Sequence, residues 1–177
     1  MKRTLIATAV LMMGIVAFQA YSQCQKTHYF CTALLDKEQQ AEYWNLNNQS
    51  KSATFAKGKV YKMSFIAYKG YDYRISVCTD IAEGGDKVRF ELFHDAVIRV
   101  KDEYGNTNIK RQKESLYKNS DDNLSPMVEF SVDKTKKFYL DVNVPATGES
   151  KDRKLKKTDN VCVGVLLEHK KGDKLGF

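Results

Sequence analysis

The sequence predicts an all-β protein, an antiparallel sandwich of seven or eight strands behind a short N-terminal helix or irregular lead-in. Three observations carry that expectation. Apolar and polar residues alternate in repeated short runs after Gly58, turn-forming residues separate the runs, and no helical stretch lies between them. Parallel pairing needs crossovers of about a dozen residues or more, for which the spacing leaves no room.

The elements follow in order. Residues 23–58 form the lead-in, and Thr32 to Asn47 within it is rich in helix formers with only a thin apolar stripe, so a short helix is expected there. Trp44, the single tryptophan, falls in this stretch and is expected to cover the sandwich. The sandwich itself is placed at residues 59–177. Val60 to Ala67 is its first strand, and Gly70 turns the chain. Tyr71, Tyr73, Ile75 and Val77 then alternate with Asp72, Arg74 and Ser76. Val88, Phe90 and Leu92 form the next inward set, with a separate strand expected at Val97 to Lys101. Tyr104-Gly105-Asn106 is hairpin chemistry, and the polar run from Ile109 to Tyr117 suits an edge. Val128, Phe130 and Val132 follow, then Phe138, Leu140, Val142 and Val144, ended by Pro145, which cannot donate to a ladder. Val161, Val163, Val165 and Leu167 make the last strand.

Composition agrees. The chain has 177 residues, 42% apolar and 29% charged, which excludes disordered, collagenous and multi-span membrane classes. Lys2 and Arg3, an apolar run from Leu5 to Phe18, and Ala20-Tyr21-Ser22 have the layout of a secretory signal peptide over residues 1–22, with Gln23 as the mature start. The apolar run falls short of the roughly 18 residues that span a bilayer. Cleavage takes two cations and no acid, so the formal charge falls from +7 to +5. Gln23 fits badly before a lipidated Cys24, and soluble export is favoured. The protein is therefore expected in the periplasm, at the cell surface or outside.

Cys24, Cys31, Cys78 and Cys162 all survive cleavage, and an even number in an exported chain reads as two disulfides. Their spacing lacks the C-x-x-C and paired-histidine patterns of a metal site. Of the possible connectivities, Cys24–Cys31 with Cys78–Cys162 is favoured, the first as a local loop and the second as a long-range staple. Cys78 and Cys162 both have the parity opposite to the apolar set, which places them on an outer face or at a sheet's end.

Phe65 to Val77 reads F-x-A-x-K-G-Y-D-Y-R-I-S-V, followed by V-R-F-E-L, D-E-Y-G-N and, late in the chain, V-E-F-S-V and K-K-F-Y-L-D-V. This order over about residues 59–168 resembles the bacterial pre-peptidase C-terminal domain, with Lys137 where that family has glycine. The resemblance implies a secreted, jelly-roll-like sandwich that accompanies enzymes rather than being one. The segments K-G-Y-D-Y-R-I-S-V-C and C-V-G-V-L-L-E-H also resemble small exported Bacteroidetes proteins of unassigned role.

Few residues suggest chemistry. His28, His94 and His169 are far apart, and the His94–Asp95 neighbours come without a nucleophile elbow, a zinc helix or a phosphate loop, so no catalytic residue is assigned. Asp80, Glu83 and Asp86, and separately Asp121, Asp122 and Asn123, offer oxygen ligands for calcium, although such residues also favour turns through their own backbone. No cofactor is expected otherwise. Lys151, Arg153, Lys154, Lys156 and Lys157 form a basic run before the last strand, either a solvated loop or a polyanion site. Tyr68, Tyr71 and Tyr73 cluster at one turn, where rim aromatics can stack on sugars, but the parity of Tyr71 and Tyr73 favours core packing. The expected role is non-enzymatic binding or accessory interaction with a protein or polysaccharide of the cell envelope, not nucleic acid. A carbohydrate- or polyanion-binding module using the basic loop 151–157 and a small secreted hydrolase are the alternatives.

Overall fold

Two antiparallel sheets stack face to face behind a helical lead-in. The computed structural model describes residues 24–79, 88–146 and 160–172. A 3₁₀ helix, Thr27–Leu34, precedes the five-residue α1, Lys37–Ala41. Helix α1 starts on a capping box: Asp36 Oδ1 accepts from Gln39 N–H at 2.8 Å and Gln39 Oε1 accepts from Asp36 N–H at 3.1 Å. Among the described residues nine strands follow: β1 Asn45–Leu46, β2 Lys51–Ala56, β3 Val60–Ala67, β4 Tyr71–Thr79, β5 Arg89–Lys101, β6 Thr107–Lys118, β7 Met127–Ser131, β8 Lys136–Asn143 and β9 Asn160–Lys171. Among the described residues no helix is long and apolar enough to cross a membrane.

One sheet runs β1-β9-β4-β7, with β2 also on β9, and the other runs β3-β8-β5-β6. Their inner faces carry the expected alternating sets. Tyr73, Ile75, Val77, Val163, Val165 and Leu167 meet Phe65, Phe90, Leu92, Phe138, Leu140 and Val142 in one core. Fully burying each such aliphatic contributes about 1.5 to 3 kcal/mol.

The strands differ from the expected seven or eight in three ways, one of them the two-residue β1, which pairs with β9. Val88–Leu92 and Val97–Lys101 are not separate: β5 is continuous over 13 residues. The irregularity in its pairing falls on its neighbour, where β6 inserts Leu116 opposite the Leu92–Phe93 step. Strand β2, placed by sequence in the lead-in, pairs along β9 from Lys51↔Val165 to Ala56↔Asn160. Phe55 is its single large buried residue, so it carries no alternation to read.

The cysteines are paired differently from the favoured reading. The bridges are Cys24–Cys162 and Cys31–Cys78, not Cys24–Cys31 and Cys78–Cys162. Cys78 and Cys162 do lie on the outer face of the β9-β4 sheet, but a layer covers that face. The lead-in crosses it as a strap, and each sheet cysteine bonds the strap above it. Cys31, Cys78 and Leu166 are buried together beneath this layer. Strand β9 is consequently buried on both faces from Val161 to Glu168, which is why V-C-V-G-V-L-L-E is nearly all apolar.

Gly164 makes the close approach possible. A Cβ there would sit 2.5 Å from His28 Cα and 2.6 Å from the Thr27 carbonyl carbon, both backbone atoms that cannot swing away. Gly164→Ala is expected to cost about 2 kcal/mol by overpacking. Chemical denaturation would measure it, and an unchanged midpoint would show that the strap is not seated there.

Beneath α1 the outer face holds a charge pair. Arg74 of β4 and Glu168 of β9 are direct cross-strand neighbours, 2% and 8% exposed. Arg74 Nε donates to Glu168 Oε2 at 2.8 Å, its Nη1 donates to the Gln39 carbonyl at 2.8 Å, and its guanidinium lies 4.8 Å from the centre of the Trp44 ring. Trp44 thus covers the sandwich, with its Nε1–H donated to Glu42 Oε2 at 2.9 Å. That bond and Lys170 hold the Glu42 carboxyl below its ordinary pKa.

Candidate functional site

The strand β4 tyrosines divide by depth. Tyr73 is in the core, 1% exposed, whereas Tyr71 is 38% exposed although it shares Tyr73's parity. Core packing accounts for Tyr73 alone. The reason is length: β3 has ended at Ala67 and β8 begins at Lys136, so no opposing sheet remains to cover Tyr71. Tyr68, in the connecting turn, is 54% exposed.

These rings edge a cleft of about 440 Å³ at the rim, lined also by Leu46, Asn47, Asn48, Gln49 and His169. His169 forms part of its wall, edge-on to Tyr71 at 5.6 Å and stacked on Tyr73 at 6.0 Å between ring centres. Burial pushes the Tyr73 phenol up, and its oxygen accepts from Tyr68 N–H at 2.9 Å, which fixes the turn carrying Tyr68.

The opposite wall is held as firmly. Gln49 mimics a strand: its Oε1 accepts from Ile66 N–H at 2.9 Å and its Nε2 donates to the Ile66 carbonyl at 3.0 Å, bridging the two sheets. Asn47 Oδ1 accepts from Gln49 N–H at 2.9 Å, and Ser50 Oγ accepts from Leu167 N–H at 3.0 Å. Asn47 Nδ2 lies 3.5 Å from His169 Nδ1. The exposed side chains left to meet a ligand are the Tyr68 and Tyr71 rings, Leu46 and the Asn48 amide. Aromatic faces beside amide donors and acceptors suit a solute with both apolar and hydroxyl-bearing surfaces.

The remaining sequence candidates lie elsewhere. Asp80, Glu83 and Asp86, and the basic run Lys151, Arg153, Lys154, Lys156 and Lys157, fall outside the described residues, as does the expected signal segment 1–22. Asp121 and Asp122 belong to a turn tied by its own bonds. Burial, with the bond that Tyr117 Oη donates to Asp122 Oδ2 at 2.8 Å, pushes the phenol up to about 12. Buried Asn119 accepts from Phe90 N–H at 2.8 Å and donates to the Val88 carbonyl at 2.8 Å.

His94 and Asp95 occupy opposite faces of β5, as neighbours in a strand must. The His94 ring instead sits edge-on to Phe138 and 3.5 Å from Glu114. A serine–histidine contact that sequence reading missed occurs at the strap, where His28 Nδ1 is 2.7 Å from Ser52 Oγ. The same oxygen accepts from His28 N–H at 2.9 Å. Burial holds His28 below the ordinary histidine pKa. Among the described residues no carboxylate bonds the ring to orient it as catalytic triads require, and both contacts anchor the strap to β2.

No family model matches the chain, and no curated protein does. Among solved structures it is similar to Aeromonas hydrophila PliG, described as a periplasmic lysozyme inhibitor of g-type lysozyme. The TM-score is 0.39, with 9% sequence identity over 68% of this chain and 84% of that one. A likeness at that level assigns neither an activity nor a partner.

Proposed function

We propose that the protein is an exported, non-catalytic binding module whose tyrosine cleft takes a carbohydrate of the cell envelope. The observation that carries this reading is the exposure of Tyr68 and Tyr71 on a rigid rim beside Asn48 and His169. The Tyr71 ring is set against His169, and the bond from Tyr68 N–H to Tyr73 Oη fixes the turn that carries Tyr68, which lowers the ordering cost of binding. Two disulfides suit the oxidising compartments where such modules work.

A glycan array on the mature chain, followed by titration calorimetry, tests the reading. Tyr68→Ala with Tyr71→Ala is expected to weaken binding at least tenfold, about 1.4 kcal/mol. Neutralising Lys151, Arg153, Lys154, Lys156 and Lys157 should leave it unchanged. Binding that follows the basic run and ignores the tyrosines would replace this reading with the polyanion one. An absence of glycan binding would remove both.

A further inference from the structure

Strand β5 outruns its sheet, and the pairing shows where. Strand β8 meets it from Arg89↔Asn143 to His94↔Phe138, and the same register carries Lys137 beside Asp95 and Lys136 beside Ala96. From Val97 on, among the described residues, β5 is paired with β6 alone. Residues 97–101 and 107–111 thus leave the sandwich as a two-stranded ribbon, a form that is marginal in water by itself. This one lacks cover: Val97 is 66% exposed, Ile109 70% and Tyr104, at the tip, 82%.

Charge is spread unevenly over the same sheet. By strand parity the outer face of β3-β8-β5-β6 carries eight lysines and arginines against three acids, Glu91, Asp95 and Asp141. All three acids lie where β8 still flanks β5. Lys113 Nζ donates to Glu91 Oε2 at 2.8 Å and to Asp141 Oδ2 at 3.2 Å, and Asp95 is directly across from Lys113. Arg99, Lys101 and Arg111 stand beyond them on the ribbon, exposed and with no ion pair among the described residues. An acid across the strand from an arginine would stabilise it. Those positions hold aliphatics instead, with Val97 across from Arg111 and Ile109 across from Arg99. The tip does not supply the missing charge. Asp102 Oδ1 is turned into the hairpin, accepting from Tyr104 N–H at 3.0 Å and Asn106 N–H at 2.8 Å, which leaves Glu103 as the exposed acid of the ribbon.

We infer that the outer face of this ribbon docks the protein on an anionic phospholipid surface. Two demands meet in one small patch: the cations lack counter-charges, and the aliphatics between them lack cover. A bilayer interface answers both. Its phosphates lie at the level of the Arg and Lys heads, whose stems run along apolar surface, and its acyl boundary lies just beneath for Val97 and Ile109. Tyr104 brings the apolar ring and polar tip that suit such an interface. Lys137, behind the ribbon on the same face, extends the attraction to negative headgroups. A soluble polyanion would meet the cations alone and leave Val97 and Ile109 in water.

Co-sedimentation of the mature chain with vesicles is the test, using phosphatidylcholine alone and phosphatidylcholine with phosphatidylglycerol in equal parts. Wild type is expected to bind the second and not the first, and to be released by salt as the attraction is screened. Arg99→Gln with Lys101→Gln and Arg111→Gln should weaken binding at least tenfold. Val97→Ser with Ile109→Ser should weaken it about fivefold with every charge kept. Lys26→Gln with Lys37→Gln and Lys51→Gln removes the same charge from exposed positions off the ribbon and should weaken it far less. As a second measurement, which requires no loss of binding, Tyr104→Trp should shift its emission to shorter wavelength on the phosphatidylglycerol vesicles. Buried Trp44 should not respond. Failure to bind either vesicle, a control that loses as much as the ribbon cation variant, or an unshifted emission would each overturn the inference. Loss with the cations but not with the aliphatics would overturn it in favour of a soluble polyanion. Glycan titration at Tyr68 and Tyr71 is read without vesicles, so either result can fail alone.

Discussion

Cys31→Ala with Cys78→Ala is expected to lower the free energy of unfolding by about 4 kcal/mol. The bridge spans 47 residues, and about 4 kcal/mol is the chain-entropy estimate for a loop of that length. The Cys24–Cys162 bridge spans 138 residues and corresponds to about 5 kcal/mol by the same reasoning. The shorter loop is nested inside the longer one, so once it is closed the outer bridge constrains fewer free residues. Removing both should therefore cost less than the sum. Guanidinium unfolding of the three variants measures these terms. A loss below about 1 kcal/mol for the inner pair would mean that the denatured chain already holds the strap near β4. A non-reducing peptide map checks the connectivity directly and should recover Cys24 joined to Cys162 and Cys31 joined to Cys78.

Arg74→Ala is expected to cost about 3 to 5 kcal/mol, because it leaves the Glu168 carboxylate buried without its cation. Removing both charges with Arg74→Met and Glu168→Leu should recover most of that loss, since a buried ion pair replaced by apolar groups of similar size is often close to neutral. A double-mutant cycle read by thermal and chemical denaturation separates the two cases. If the double variant is as unstable as Arg74→Ala, then the Gln39 carbonyl and the Trp44 ring matter more to Arg74 than Glu168 does. Lys170 with Glu42 is the control, an exposed pair that should contribute little.

Both predictions concern the strap, which is the part of the fold least legible in the sequence. The sandwich strands could be read because a side chain's face follows from its parity in the strand, a local property of Tyr73, Ile75 and Val77 as of Phe138, Leu140 and Val142. The same rule correctly placed Cys78 and Cys162 on an outer face. It could not name their partners, because a disulfide depends on which backbone lies within reach, and that is set by the layer above. Nearness in sequence, which favoured Cys24 with Cys31, had no bearing on it. Strand β2 was illegible for a related reason: it is held by β9's backbone and one phenylalanine rather than by its own pattern.

The cleft shows the same division. The clustering of Tyr68, Tyr71 and Tyr73 was visible along the chain, and parity accounted for Tyr73. Tyr71 departs from it only because the opposing sheet stops short, a fact about two strands distant in sequence. Asn47, Asn48, Gln49 and His169 carry no motif at all and meet the tyrosines through the β1–β9 pairing and the Gln49 bridge.

By itself, then, the sequence determined the β class, the inward face of most strands and the outward face of the sheet cysteines, because each depends on alternation within a few residues. Only the tertiary structure decided the disulfide partners, the buried Arg74–Glu168 pair and the split among the tyrosines. Each of those depends on how elements distant in the chain are placed against one another, and chain-local periodicity carries no such distance.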